Sequence, residues 1–227
     1  MRDKTLFHNL LDIKEILNFT KSEYKSDDVK IIAVSKRKPL SDIELLVSLN
    51  HNVFGENYAQ ELKEKYENFN GSVPSFHFIG PLQTNKVSMI IDKVDLIHSV
   101  DREKLVKVIN NEAKKLNKVQ DILIQLNLTD ESTKSGIHEG NLFEFIESLS
   151  KYENVKVIGL MTMPFFTKDL EELRPVFAKL RNLRDSLNKK GFTEIKELSM
   201  GMSNDYKVAV EEGSTMIRVG TSIFGSR

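Results

Sequence analysis

The stretch Ile31-Ile32-Ala33-Val34-Ser35-Lys36-Arg37-Lys38-Pro39 decides the fold. Its first part is continuously apolar rather than alternating, the pattern of a strand covered on both faces, as in a parallel sheet. Its second part is cationic and contains no glycine. A doubly wound dinucleotide-binding sheet puts a glycine-rich loop after its first strand, so that alternative fits poorly here. The strand ends in Lys36. Lysine is seldom buried without a partner or a chemical task. An amine at the mouth of a barrel can form a Schiff base with an aldehyde cofactor or a carbonyl substrate; the competing reading of Lys36 is a structural ion pair.

Similar runs recur along the chain, at Asn52–Gly55, Phe76–Gly80, Leu96–Val100, Asp121–Asn127, Val157–Met163, Glu197–Gly201 and Met216–Gly220. Between them lie stretches of helical period. Leu6, Leu10, Ile13 and Leu17 mark one; Ile43, Leu46 and Val47 a second; Leu105, Val108, Ile109 and Leu116 another. Leu142–Leu149 and Leu173–Leu187 follow, with shorter helices expected at Tyr58–Asn68 and Ser203–Glu211. Ser41-Asp42, Asp101 and Ser203 with Asn204-Asp205 read as helix starts, and Gly191 as a helix cap. Eight strands alternating with helices predict an α/β chain folded as a single-domain (β/α)8 TIM barrel over residues 1–227.

Composition narrows the function classes. Lys+Arg and Asp+Glu are both 33, so no net charge draws the chain to nucleic acid or to acidic membranes. There is no cysteine, which excludes disulfides, thiolate metal sites and cysteine nucleophiles. No signal core follows Met1 and no apolar run reaches membrane-span length, so the expected compartment is the cytosol. His77 and His98 read as core residues rather than metal ligands, and Met161, Met163, Met200 and Met202 as packing that lines a pocket. No Gly-x-Ser-x-Gly elbow or Walker loop appears.

A parallel barrel carries its site at the C-terminal ends of the strands. Polar groups and glycines gather there: Lys36; Gly55-Glu56-Asn57; Gly80-Pro81; His98-Ser99; Asn127; Ser199-Met200-Gly201; and Gly220-Thr221-Ser222. The last two groups, after strands seven and eight, read as a phosphate cradle. Alternation on the eighth strand sends Ile217 and Val219 toward the helices and Arg218 into the barrel mouth. There it can hold a phosphate, donate to a ring nitrogen, or pair with Glu56 or another acid. The amine and the anion cradle are expected on opposite sides of the mouth.

The motifs Ala33-Val34-Ser35-Lys36-x-Lys38-Pro39, Phe54-Gly55-Glu56-Asn57-Tyr58, His77-Phe78-Ile79-Gly80-Pro81-Leu82-Gln83-x-Asn85-Lys86, Lys134-Ser135-Gly136, Leu198-Ser199-Met200-Gly201-Met202-Ser203 and Arg218-Val219-Gly220-Thr221-x-Ile223-Phe224-Gly225 resemble the pyridoxal phosphate homeostasis protein family. Phe76 stands where that family usually has tryptophan, and Arg37 where it has threonine. The resemblance implies the barrel of the alanine racemase N-terminal domain and pyridoxal 5′-phosphate as cofactor. It implies that Lys36 carries the cofactor as an internal aldimine. Ser199, Met200, Gly201, Gly220 and Thr221 would hold the phosphate, Asn57 would sit beside the ring, and Arg218 would face the pyridine nitrogen.

Two functions follow from the resemblance, beside a third reading in which the barrel binds another phosphorylated metabolite and Lys36 is an ion-pair residue. One is a non-enzymatic carrier that holds pyridoxal phosphate and hands it to apo-enzymes. The other is a pyridoxal-dependent enzyme such as an amino-acid racemase. A two-base racemase needs a second acid/base opposite the lysine, which alanine racemases take from an added domain of a partner subunit. This chain is expected to lack such a domain after Gly225-Ser226-Arg227, so the carrier, acting as a monomer, is the preferred expectation. Tyr58 and Tyr206 are the candidate substitutes for that base.

Overall fold

The strand register runs in one unbroken ring. In the computed structural model, which describes residues 2–26, 28–129 and 135–225, the strands are β1 (Lys30–Val34), β2 (Val53–Glu56), β3 (Ser75–Phe78), β4 (Leu96–Val100), β5 (Gln120–Asn127), β6 (Val155–Thr162), β7 (Glu197–Met202) and β8 (Met216–Val219). Each pairs in parallel with the next, and β8 closes the ring on β1 through Ile32↔Arg218 and Ala33↔Val219. The result is a closed (β/α)8 barrel. A two-residue strand, Ile137–His138, lies beside the end of β5. Lys134 of the sequence motif lies outside the described residues.

The helices are α1 (Arg2–Phe19), α2 (Leu40–Ser48), α3 (Ala59–Asn68), α4 (Val87–Ile90), α5 (Glu103–Lys115), α6 (Leu142–Ser148), α7 (Arg174–Lys189), α8 (Tyr206–Glu211) and α9 (Thr221–Phe224). Leu6, Leu10, Ile13 and Leu17 give α1 its apolar stripe and are all buried. The side chain of Asn9 ties α1 to the carbonyl of Ile223 on α9. Gly191 follows α7 with φ +100° and donates its N–H to Asn188, as a helix-ending glycine does.

Three helix starts differ from expectation. α2 begins at Leu40, directly after Pro39, so Asp42 lies inside its first turn. α5 begins at Glu103, and Asp101 instead pairs with Arg102. α8 begins at Tyr206, and the hydroxyl of Ser203 caps nothing on it. The segment Thr84–Ile90, where no element was expected, forms a 3-10 turn running into α4. Its apolar residues, Val87, Met89 and Ile90, are too few to show a period.

The side-chain alternation of the strands divides the core. Ile31, Ala33, Ile217 and Val219 face the helices, whereas Ile32, Leu96, Leu123, Met161 and Met216 form an apolar plug inside the barrel. His98 and Arg218 each stand two residues beyond a plug residue on the same strand. They therefore point inward one step closer to the C-terminal rim.

Candidate cofactor site

A cavity of about 330 Å³ opens at the C-terminal rim, within the size range of small-molecule sites. Lys36 and Asn57, just past β1 and β2, line one side. Met163 to Thr167, from the β6–α7 connection, line another. Met202 to Asp205, Arg218, Gly220 and Thr221 complete the wall. Among the described lining residues, only Lys36, Asp205 and Arg218 are titratable.

Arg218 is buried at 4 % exposure. It donates to Ser199 Oγ at 2.5 Å and to the carbonyl of Thr162 at 2.9 Å. Both partners are neutral, and these two bonds use two of its five N–H donors within the described protein. Burial lowers its pKa to about 10, against a smaller raising effect of Asp205, so it stays charged at neutral pH. Asp205 is itself pushed up by burial, and its Oδ1 accepts the N–H of Met202. Arg218 does not pair with Glu56. That carboxylate meets Lys65 and the hydroxyl of Ser35 instead.

A chain of polar contacts runs from Arg218 into the barrel. Ser199 Oγ lies 2.8 Å from His98 Nδ1, and His98 Nε2 lies 3.0 Å from His77 Nδ1. An arginine only donates, so the Ser199 hydroxyl receives from Arg218 and gives its own proton to His98. This assigns the proton of His98 to Nε2 and that of His77 to the nitrogen away from His98. Burial holds both imidazoles neutral, His77 with a pKa of about 3 and His98 well below the ordinary value.

The loops after β7 and β8 are fastened to each other. Ser203 Oγ accepts the N–H groups of Gly220 and Ser222, at 3.1 and 3.3 Å, and Ser222 Oγ donates to the carbonyl of Ser203. Between Ser199↔Met216 and Met202↔Arg218, β7 spends one residue more than β8. Gly201 sits in this bulge with φ +92°, and a Cβ there would lie 2.7 Å from the Cβ of Ala209.

The expected site residues divide accordingly. Lys36, Asn57, Arg218, Gly220 and Thr221 share the cavity wall. Ser199 lies one layer beneath, committed to Arg218 and His98. Met200 packs in the helix-facing core, and the side-chain position of Gly201 faces α8 and Ile217. Met163 and Met202 line the cavity, but Met161 and Met200 are fully buried elsewhere. The amine and the Gly220-Thr221 turn are not across the mouth from one another. β1 and β8 are paired neighbours, and a Cβ on Gly220 would lie 3.5 Å from Val34. Ser203, Asp205, Phe165 and Phe166 were not singled out as site residues; the β7 bulge beside Ser203 is marked in the sequence only by Gly201, a glycine inside a strand.

Asn57 offers a test of fit. Its Oδ1 is buried with no hydrogen-bond partner among the described residues, a costly state unless a ligand supplies one. A lysine, an arginine with spare donors and an unpaired amide on one cavity wall suit a planar, anionic, hydrogen-bonding ligand with a carbonyl. Pyridoxal 5′-phosphate has that chemistry.

The model of the alanine racemase N-terminal domain matches residues 7–227. A curated relative from Aquifex aeolicus, a pyridoxal phosphate homeostasis protein, is 46 % identical over 198 residues, 87 % of each chain. The Escherichia coli protein of that name is 32 % identical over 229 residues, covering 97 % of this chain and 96 % of its own. Among solved structures, PipY from Synechococcus elongatus with PLP bound superposes with a TM-score of 0.86 at 30 % identity, covering 97 % of this chain and all (100 %) of that one. An alanine racemase from Clostridium difficile, 21 % identical, shares the fold with a TM-score of 0.75, and the match spans 57 % of that longer chain.

Proposed function

The chain belongs to the pyridoxal phosphate homeostasis proteins, a family built on the alanine racemase N-terminal domain, and from this we propose that it binds pyridoxal 5′-phosphate as a Schiff base on Lys36 and delivers it to other proteins. The observation that carries the reading is the lining of one cavity by both Lys36 and Arg218, an amine and a buried cation with donors to spare. The aldehyde carbon joins Lys36 Nζ with loss of water. The phosphate takes the Gly220-Thr221 turn and the Ser203 region, Asn57 lies beside the ring, and Arg218 donates to the ring nitrogen.

The cofactor supplies an electrophilic carbon and an electron sink. The protein's own groups restrain the second property. Arginine keeps its protons, so Arg218 leaves the ring nitrogen a hydrogen-bond acceptor and the sink weak. Carbanion chemistry is thereby disfavoured, which supports a carrier over a racemase. Neither tyrosine weighed as a second base lines the cavity. Tyr58 lies outside with its ring beside Arg37, and Tyr206 is buried on α8.

Transfer decides between the two. The loaded protein, mixed with a pyridoxal-dependent apo-enzyme, is expected to restore that enzyme's activity, and the protein alone is expected to leave the α-hydrogen of amino acids unexchanged in deuterated water. Exchange that disappears in Lys36→Ala would instead make the protein an enzyme.

A further inference from the structure

The backbone that presents Lys36 is strained and is held by two side chains of a neighbouring helix. Lys38 N–H donates to the carbonyl of Ser35 at 3.0 Å, closing a four-residue turn with Lys36 and Arg37 at its corners. Arg37 has φ +59°, a left-handed conformation unfavourable for a residue with a Cβ and usually given to glycine at that corner.

The two peptide units that flank the Lys36 Cα are both fastened to α3. The Ser35 carbonyl accepts Lys65 Nζ at 2.7 Å, and the Arg37 N–H donates to Glu61 Oε1 at 2.5 Å. Lys65 and Glu61 lie one helical turn apart and are joined at 2.7 Å. The third donor of Lys65 goes to Glu56 Oε1, also at 2.7 Å, and the Ser35 hydroxyl meets that same oxygen. Lys65 is 7 % exposed and all three of its N–H bonds are used. A helix lysine has no need of burial for solubility. Here its desolvation is compensated by the carboxylates of Glu56 and Glu61 and by the Ser35 carbonyl, and all three of these groups also bond the Lys36 turn or belong to it.

We infer that Glu61 and Lys65 are positioning residues, which hold the peptide units on either side of Lys36 so that its amine is directed into the cavity. The inference rests on Lys36 being the residue joined to the cofactor aldehyde. It separates two parts of binding that a simple loss of fold would damage together: the grip on the phosphorylated ring and the covalent capture of the aldehyde.

Wild type, Glu61→Ala and Lys65→Met are compared with two ligands. Pyridoxine 5′-phosphate carries the ring and phosphate but an alcohol in place of the aldehyde, so it reports the grip alone. Pyridoxal 5′-phosphate, trapped with borohydride at timed intervals, reports capture at Lys36. Both variants are expected to keep wild-type affinity for the alcohol. Capture is expected to slow by about tenfold to a hundredfold, the scale of loss that ångström-sized misplacement produces. Capture at the wild-type rate, or an equal loss for both ligands, overturns the positioning role while leaving the cofactor reading intact. Absence of label on Lys36 in the wild type defeats the cofactor reading itself. Glu61 is partly exposed at the surface, so Glu61→Ala decides the matter should Lys65→Met fail to fold.

Discussion

Arg218 donates to Ser199 Oγ at 2.5 Å inside the barrel, and among the described residues no carboxylate is a hydrogen-bond partner of either. A buried cation hydrogen-bonded to neutral acceptors keeps its remaining donors available to a ligand. Arg218→Lys keeps the charge but loses the planar fork that reaches Ser199 and Thr162 together. It is expected to weaken pyridoxal phosphate binding by about tenfold or more, a loss of about 1.4 kcal/mol, measured by fluorescence titration. Unchanged affinity would remove Arg218 from the site.

His77 sets a pH dependence. Its folded pKa, about 3, lies below the ordinary 6.5. The unfolded chain therefore binds the extra proton first, and the stability contributed by neutral His77 is present above pH 6.5 and lost as pH falls toward 3. Between these limits wild type should lose about 1.4 kcal/mol per pH unit more than His77→Gln. Urea unfolding at several pH values checks this, and parallel slopes for the two proteins would contradict it.

Gly201 and Gly191 both have left-handed φ, +92° and +100°. A Cβ at Gly201 meets Ala209 at 2.7 Å, whereas at Gly191 nothing lies within 4 Å. Gly191→Ala is expected to cost about 1 kcal/mol from backbone strain alone and to leave ligand binding intact. Gly201→Ala adds overpacking of about 1–3 kcal/mol and disturbs the β7 bulge beside Ser203. Thermal unfolding and ligand titration of the pair separate the two effects.

At Arg37 the left-handed turn makes the opposite prediction. Arg37→Gly is expected to change stability by less than about 1 kcal/mol, since strain relief offsets the added freedom of the unfolded chain. Arg37→Val, β-branched, is expected to cost about 2 kcal/mol. Equal denaturation midpoints for the two variants would show that the turn relaxes without penalty.

Much of this was legible in the sequence because the barrel is built on simple alternation. The step from Ile217 to Val219 placed Arg218 inside, and the continuous apolar runs located all eight barrel strands to within two residues. What was missed arose from tertiary geometry. The cradle was expected across the mouth from Lys36, yet closing a ring makes its first and last strands neighbours. Ser199, Met200 and Gly201 were read as one phosphate-holding group, but strand alternation and a one-residue bulge send their side chains to different layers. Lys65 reads as an ordinary solvated helix lysine, and only the packing of α3 against the β1 turn shows otherwise.

The most direct test of the account is borohydride reduction of the cofactor-saturated protein followed by peptide mapping. The predicted result is a single pyridoxyl label on Lys36, absent from Lys36→Ala. A label on any other lysine, or none on saturated material, would contradict it.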